Sequence, residues 1–428
     1  MKRYAAVIAP LAGLLFAMVF PAGTDARQGR GAVQLADGPG RDLVQATCAK
    51  CHGLNNITNS SGNTKDGWET LISTMVALPA DERNTITTYL AAHYPEKPAP
   101  AAVRLAGPVT VKINEWMVPT LGSRPHDPLA ASDGSLWWSG MFANKLGRLD
   151  PRTGAMQEFE LTAANSAPHG LVEQKGTGHI FFTAINGAYI GNLVPRTGQI
   201  TQFPIARAGV AGARSPHTPI FDQQGNLWFT LQSGHVGRLN PATGEMKIVA
   251  SPSKDAQGGS YPYGIQVNSQ GVPWYVDFRG NRIASIDPVS MAITEVTLPN
   301  PASRPRRIAL TPDDVIWYTD FALGTIGRYD PKTGQHKTWP SPGGRDSEPY
   351  GIASIGSTIW YSESGVRPNT LVHFDPQTEK FQTWTIPSGG GVVRNMMRTA
   401  NNNLVMARSG VNRVALVEIG TPPANRTN

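Results

Sequence analysis

Only two cysteines occur among 428 residues, too few for a disulfide scaffold. Charged side chains make up 16%, too sparse for a coiled coil or for a chain kept disordered by its own charge. The 45 glycines and 35 prolines follow no three-residue period, which excludes collagen. Beyond the first two dozen residues no apolar run is long enough to span a bilayer. The net charge of +7 divides into +1 over 1–26, zero over 27–98 and +6 over 99–428. So dilute a charge gives no reason to expect a nucleic-acid partner, and it suits a small anionic ligand. The length leaves room for one large domain and a small one.

Residues 1–26 read as a secretory signal peptide. Lys2 and Arg3 precede an apolar run from Ala5 to Phe20, and small residues follow as far as Ala26. The alternative is a membrane anchor, which needs about 20 apolar residues. The expectation is cleavage near Ala26, a periplasmic location and no membrane span in the mature chain.

Both cysteines lie in Cys48-Ala49-Lys50-Cys51-His52. This C-x-x-C-H spacing attaches haem c: two thiols add to the porphyrin vinyl groups and His52 reaches the iron. A zinc site would want four ligands, and no second cysteine pair exists. Apolar residues from Asp66 to Tyr94 recur at helical spacing and predict two helices. A haem segment this small, 27–94, resembles the single-haem class I cytochromes c. That resemblance implies Met75 as the second iron ligand, with His93 or an open position as the alternatives. Thioether ligation closes the iron to substrates, which points to electron transfer. A Pro/Ala-rich stretch, 95–108, reads as a semi-rigid linker that leaves orientation unfixed.

From about 109 the chain repeats every 43 to 48 residues. The landmarks are Pro125-His126, Pro168-His169, Pro216-His217, Pro262-Tyr263, Pro305-Arg306 and Pro349-Tyr350, with Val393-Arg394 in the seventh unit. An aromatic pair follows in six units, from Trp137-Trp138 to Trp360-Tyr361, and then a turn of the Asp150 to Gly154 type. This period, with four short strand-like runs per unit, predicts a β-propeller of seven blades over 109–419, leaving 420–428 as a tail. The last unit lacks an outer strand, which Val109 to Val118 can supply. The fold class expected is therefore a small all-α cytochrome c domain followed by an all-β seven-bladed β-propeller. The aromatic pairs are expected to pack between blades.

The residue after each landmark proline should fall near the axis, giving His126, His169, His217, Tyr263, Arg306, Tyr350 and Arg394. A second ring follows the aromatic pairs: Gly140, Ala184, Leu231, Asp277, Asp320, Glu363 and Arg408. The expectation is that the histidines, the acids and the arginines face one space, with Arg304, Arg306, Arg307, Arg394, Arg398 and Arg408 gathered around the fifth and seventh blades, and that the acid and arginine arcs hold a divalent cation and an anionic group together.

The units EPYGIASIGSTIWYSESG and RPHDPLAASDGSLWWSGMFANKLGRLDPRTG resemble the virginiamycin B lyases (streptogramin lyases) over about 109–419. The resemblance implies a magnesium-dependent carbon–oxygen elimination, with Mg2+ held by Glu348 and Glu363. The family's two catalytic histidines correspond to Tyr350 and Arg306 here, and Arg394 stands near them. Three readings follow. The first is an exported haem c electron-transfer protein whose propeller binds a small anionic molecule or a periplasmic redox protein. The second is a lyase with Tyr350 as base. The third is a docking module for another periplasmic redox enzyme. A monomer is expected.

Overall fold

The computed structural model describes residues 33–50, 53–253 and 259–420. Cys51, His52, the expected signal peptide and all of the expected tail after Gly420 lie outside the described residues. Seven four-stranded antiparallel sheets make up a seven-bladed β-propeller. Blades 1 to 6 run over 125–160, 168–204, 216–250, 262–297, 305–340 and 349–385. Blade 7 joins three strands over 393–420 to the early strand Thr110–Met117, which pairs with Arg413–Gly420 in full register. The ring is thus closed by strands from both ends of the propeller, with Thr110–Met117 as the outer strand of this sheet and Val393–Arg398 as its inner one. Glu115 from the early strand meets the buried Arg408 guanidinium across this closure.

Local chemistry dictates the blades. In the Asp150 turn, the Asp150 carboxylate accepts from Arg152 N at 3.0 Å, and Gly154 takes the left-handed φ of 75° that the turn requires. In blades 1, 2, 3 and 5 the second aromatic of the pair lies over a glycine on the next strand: a Cβ at Gly147 would come within 2.0 Å of the Trp138 ring. The first aromatic packs toward the neighbouring blade, so Trp137 shares a core cluster with Phe182 of blade 2. The aromatic pairs therefore pack within and between blades.

A hydroxyl follows most aromatic pairs and joins one blade to the next. Ser139 Oγ donates to His169 O (2.5 Å), Thr183 Oγ1 to His217 O (2.6 Å) and Thr230 Oγ1 to Tyr263 O (2.7 Å). Thr319 reaches Tyr350 O (2.8 Å), Ser362 reaches Val393 O (3.0 Å), and Ser409 closes the ring at Pro125 O (2.9 Å). The hydroxyls of Ser139, Thr183, Thr230, Thr319 and Ser362 also accept an amide two residues past their own blade's landmark, as Thr230 does from Thr218 N.

Among the described residues, four helices stand before the propeller: α1 (Arg41–Cys48), α2 (Asn55–Thr58), α3 (Lys65–Ser73) and α4 (Ala80–His93). Thr64 caps α3 by accepting from Gly67 N. Their core is Leu35, Val44, Ile57, Trp68, Ile72, Ile86, Tyr89 and Leu90. No helix among the described residues is long and apolar enough to cross a membrane.

The helices dock on the propeller. Gly122 N, in the loop leading into blade 1, donates to Thr74 O at 2.8 Å. Arg367, in a loop of blade 6, pairs with Glu96 and bonds through its backbone to Pro100 and Ala102. The stretch expected to be an unfixed linker is instead tied down, and Leu105 N also donates to Thr383 Oγ1. Both loops lie at the end of the blades where the landmark prolines begin the inner strands. The helices therefore sit on one face of the ring, reaching from blade 6 to blade 1.

Thr230→Val removes one interblade bond and leaves Tyr263 O and Thr218 N without their buried partner. It should destabilise the protein by about 1–3 kcal/mol in urea unfolding, whereas a solvent-side change such as Thr201→Val should move the midpoint far less.

Candidate functional site

The landmark residues meet at the axis and fill it. The rings of His126 and His169 lie 3.7 Å apart, those of His169 and His217 4.0 Å, and those of His217 and Tyr263 4.0 Å. The hydroxyls of Tyr263 and Tyr350 hydrogen-bond to each other across the ring. Arg306 lies 3.7 Å over the Tyr350 ring, 4.1 Å over Phe321 and 4.5 Å over Phe278. These aromatic faces hold the guanidinium in place. The channel is therefore plugged, and the plug is the floor of a mouth on the face that carries the helices.

A second axial layer comes from the residue after each ring member: Asp127, Gly170, Thr218, Gly264, Arg307, Gly351 and Asn395. Arg307 donates to Asp127 Oδ1 (2.9 Å), Thr218 Oγ1 (3.0 Å) and Arg394 O (3.0 Å). Asn395 donates to Asp127 Oδ2 at 3.0 Å, and His126 Nδ1 lies 2.9 Å from Asp127 Oδ1. Glycine is needed at 170, where a Cβ would fall 2.3 Å from Pro219 of the next blade. His126, Asp127 and His169 bring three ligand-type atoms within 4.8 Å of one another. Arg307 already occupies that carboxylate, so the group is a charge network and not a cation cradle.

The acids do not share the arginines' space, contrary to the sequence expectation. Asp277 accepts from Ser260 Oγ, Tyr261 N and Arg282, and Asp320 from Arg304 N and Leu323 N. Glu363 accepts from Ser341 Oγ (2.5 Å), Gly343 N (2.6 Å) and Thr370 Oγ1 (2.5 Å). Each faces its own blade's loops and fixes them. Arg408, from the same ring, is held by Glu115 and Gly390 O, away from the axis. Arg398 lies exposed on the surface.

The mouth itself holds Arg306, Arg394 and Arg124. Sequence reasoning did not single out Arg124, although it stands immediately before the landmark proline of blade 1, where Glu348 stands in blade 6. Both adopt left-handed φ, 53° and 50°, a conformation that costs energy for such residues. Arg124 lies 4.4 Å over the Phe142 ring. Arg394 Nε donates to Ser409 Oγ at 3.0 Å. None of the three has a carboxylate within salt-bridge distance among the described residues.

These charges set the ionisation of the floor. Burial pushes the Tyr350 hydroxyl up, but Arg306, Arg394 and Arg307, with the Tyr263 bond, outweigh it and bring it down to about 8. Tyr263 goes the other way, chiefly by burial. Burial and then Arg394 push Arg124 down to about 10. Burial raises Glu348, partly offset by Arg306. His126, His169 and His217 are pushed far down, first by burial and then by neighbouring arginines and histidines, so they are neutral at neutral pH.

The sign of that last shift makes the propeller acid-labile. Below a pH of about 6.5 the unfolded chain binds protons that the folded histidines refuse. Each histidine then removes about 1.4 kcal/mol of stability per pH unit. The urea midpoint should fall steeply from pH 7 to 5, and less steeply in His217→Gln. An equal slope in that variant would show that another group governs the loss.

The virginiamycin B lyase family profile matches residues 107–365 and 178–420. Among solved structures, a streptogramin B lyase is 23% identical, with a TM-score of 0.65 over 72% of this chain and 98% of that one. Virginiamycin B lyase from Staphylococcus aureus is 21% identical, with a TM-score of 0.65 over 73% of this chain and 100% of that one. A catalytically inactive form of that enzyme with quinupristin gives 0.64 at the same identity and coverage. No curated protein sequence matches the chain. With well over half of its length matched by the profile, the chain belongs to the virginiamycin B lyase family.

Proposed function

We propose that this chain is an exported electron-transfer protein, with a haem c unit over 27–94 fused to the family propeller, whose axial mouth binds a small anionic ligand or a periplasmic redox partner. The observation that carries the reading is the docking of the helices on the mouth face, with Thr74 O bonded to Gly122 N two residues from Arg124.

What supports a porphyrin here is the setting of the described donors. Cys48, at the end of α1, is half-buried and packs against the helical core, as do the partly covered Leu43, Leu54, Leu71 and Leu78. Val33, Met75 and Val76 are more than a third exposed. Apolar side chains of the helical unit thus remain uncovered, as a flat apolar group would need. Met75 lies just past α3 and outside the core, while His93 packs against Tyr89 and Gly38. Cys48, Cys51 and His52 would hold the haem and Met75 would complete the iron's ligands. The bound group supplies a one-electron couple.

Protein purified from periplasm should keep its haem spectrum after denaturation, and Cys51→Ala should lose it. Met75→Ala should retain covalent haem but change the axial-ligand bands and lower the reduction potential. A denatured protein without porphyrin ends the electron-transfer reading.

A second reading, elimination of the streptogramin lyase type, is favoured by one observation: Tyr350 is drawn toward the phenolate at the position where the family carries a histidine. A phenolate there could take a proton alpha to a carbonyl. Magnesium fits poorly, because both oxygens of Glu363 are already bonded and Glu348 faces Arg306. Incubation with a streptogramin B should show ring opening that rises with pH through about 8 and disappears in Tyr350→Phe. Unchanged antibiotic across that range removes the reading.

A further inference from the structure

The charges around the mouth do not balance. Four guanidiniums converge there: Arg124, Arg306, Arg307 and Arg394. Two carboxylates accompany them, and Asp127 is already bonded to Arg307 and Asn395. Glu348 offsets part of one more charge. Half-buried cations in excess are costly unless something neutralises them. A separate observation points the same way: Arg306 Nε is buried and has no hydrogen-bond partner.

We propose that the mouth is a binding site for a small dianion, of the dicarboxylate or phosphomonoester class, gripped by Arg124, Arg306 and Arg394 above the Tyr263–Tyr350 floor. The site is built before the ligand arrives. Stacking on Phe278, Phe321 and Tyr350 fixes Arg306. The Ser409 hydroxyl holds Arg394. Phe142 lies beneath Arg124, and the loop before it is tied to the helices through Gly122. Preorganised guanidiniums lose little entropy on binding, and their planar forks suit carboxylate and phosphate oxygens. The plug below limits depth, so the ligand is small. Two charges are selected over one because a monoanion leaves the second excess cation uncompensated.

The inference deepens the propeller half of the proposed function and does not depend on haem. The test is calorimetric titration of the full-length mature chain at pH 7 with succinate, inorganic phosphate and acetate. Succinate or phosphate should bind one per chain, at least about tenfold tighter than acetate. Preference for one of the two assigns the carboxylate or the phosphate class. Arg124→Gln and Arg394→Gln should each weaken binding about ten- to hundredfold, with circular dichroism unchanged. Two variants guard against the collapse of one loop. Equal affinity for acetate, no binding of either dianion, or undiminished binding in both variants overturns the proposal. The haem spectrum of the same samples reports separately on the electron-transfer reading, so either can fail alone.

Discussion

The hydroxyl placed after the aromatic pair governs the rest of this structure. From five of the blades it bridges an amide of its own inner strand and a carbonyl of the next blade, that of the axial residue in four cases and of Val393, the residue before Arg394, in the fifth. Ser139, Thr183, Thr230, Thr319 and Ser362 thereby set where His169, His217, Tyr263, Tyr350 and Val393 stand around the axis. Blade 4 carries Val276 at this position, and blade 7 uses Ser409 instead. Apolar packing between blades, to which the aromatic pairs belong, is not directional. The hydrogen bonds convert seven similar sheets into a ring whose inner residues are held at short separations.

That spacing has an electrostatic consequence. Side chains forced together at the axis must either be neutral or find counter-charges. The histidines take the first course, Arg307 and Asp127 the second. Arg124 and Arg394 take neither and Arg306 is only partly offset by Glu348, so the chemistry of the mouth belongs to these three. Tyr350, in the floor beneath them, feels this excess directly.

The helical unit is positioned by few contacts, yet all described here fall on the mouth face. The bonds at Gly122 and Arg367 tie it to blades 1 and 6 on either side of blade 7, which is the blade completed by the strand that follows the linker. Chain connectivity and docking therefore agree: the segment leaving the helices must enter the ring at blade 7. Proximity between Met75 and the loop bearing Arg124 follows from that topology.

The sequence by itself determined the seven blades and the identity of the axial ring. Both are written in local signals: a proline landmark, an aromatic pair and a turn, repeated at one period. The strand 110–117 was legible too, because the last unit lacked its fourth strand. Side-chain direction was not legible. Asp277, Asp320 and Glu363 occupy equivalent places beside the ring, yet they bend toward their own loops, where unpaired amides wait for them. Only the fold could decide that, since hydrogen-bond donors brought near by neighbouring strands outcompete a distant arginine. Arg124 escaped notice for the same reason: nothing local marks the residue before a proline as axial until ring closure brings blade 1 beside blade 7.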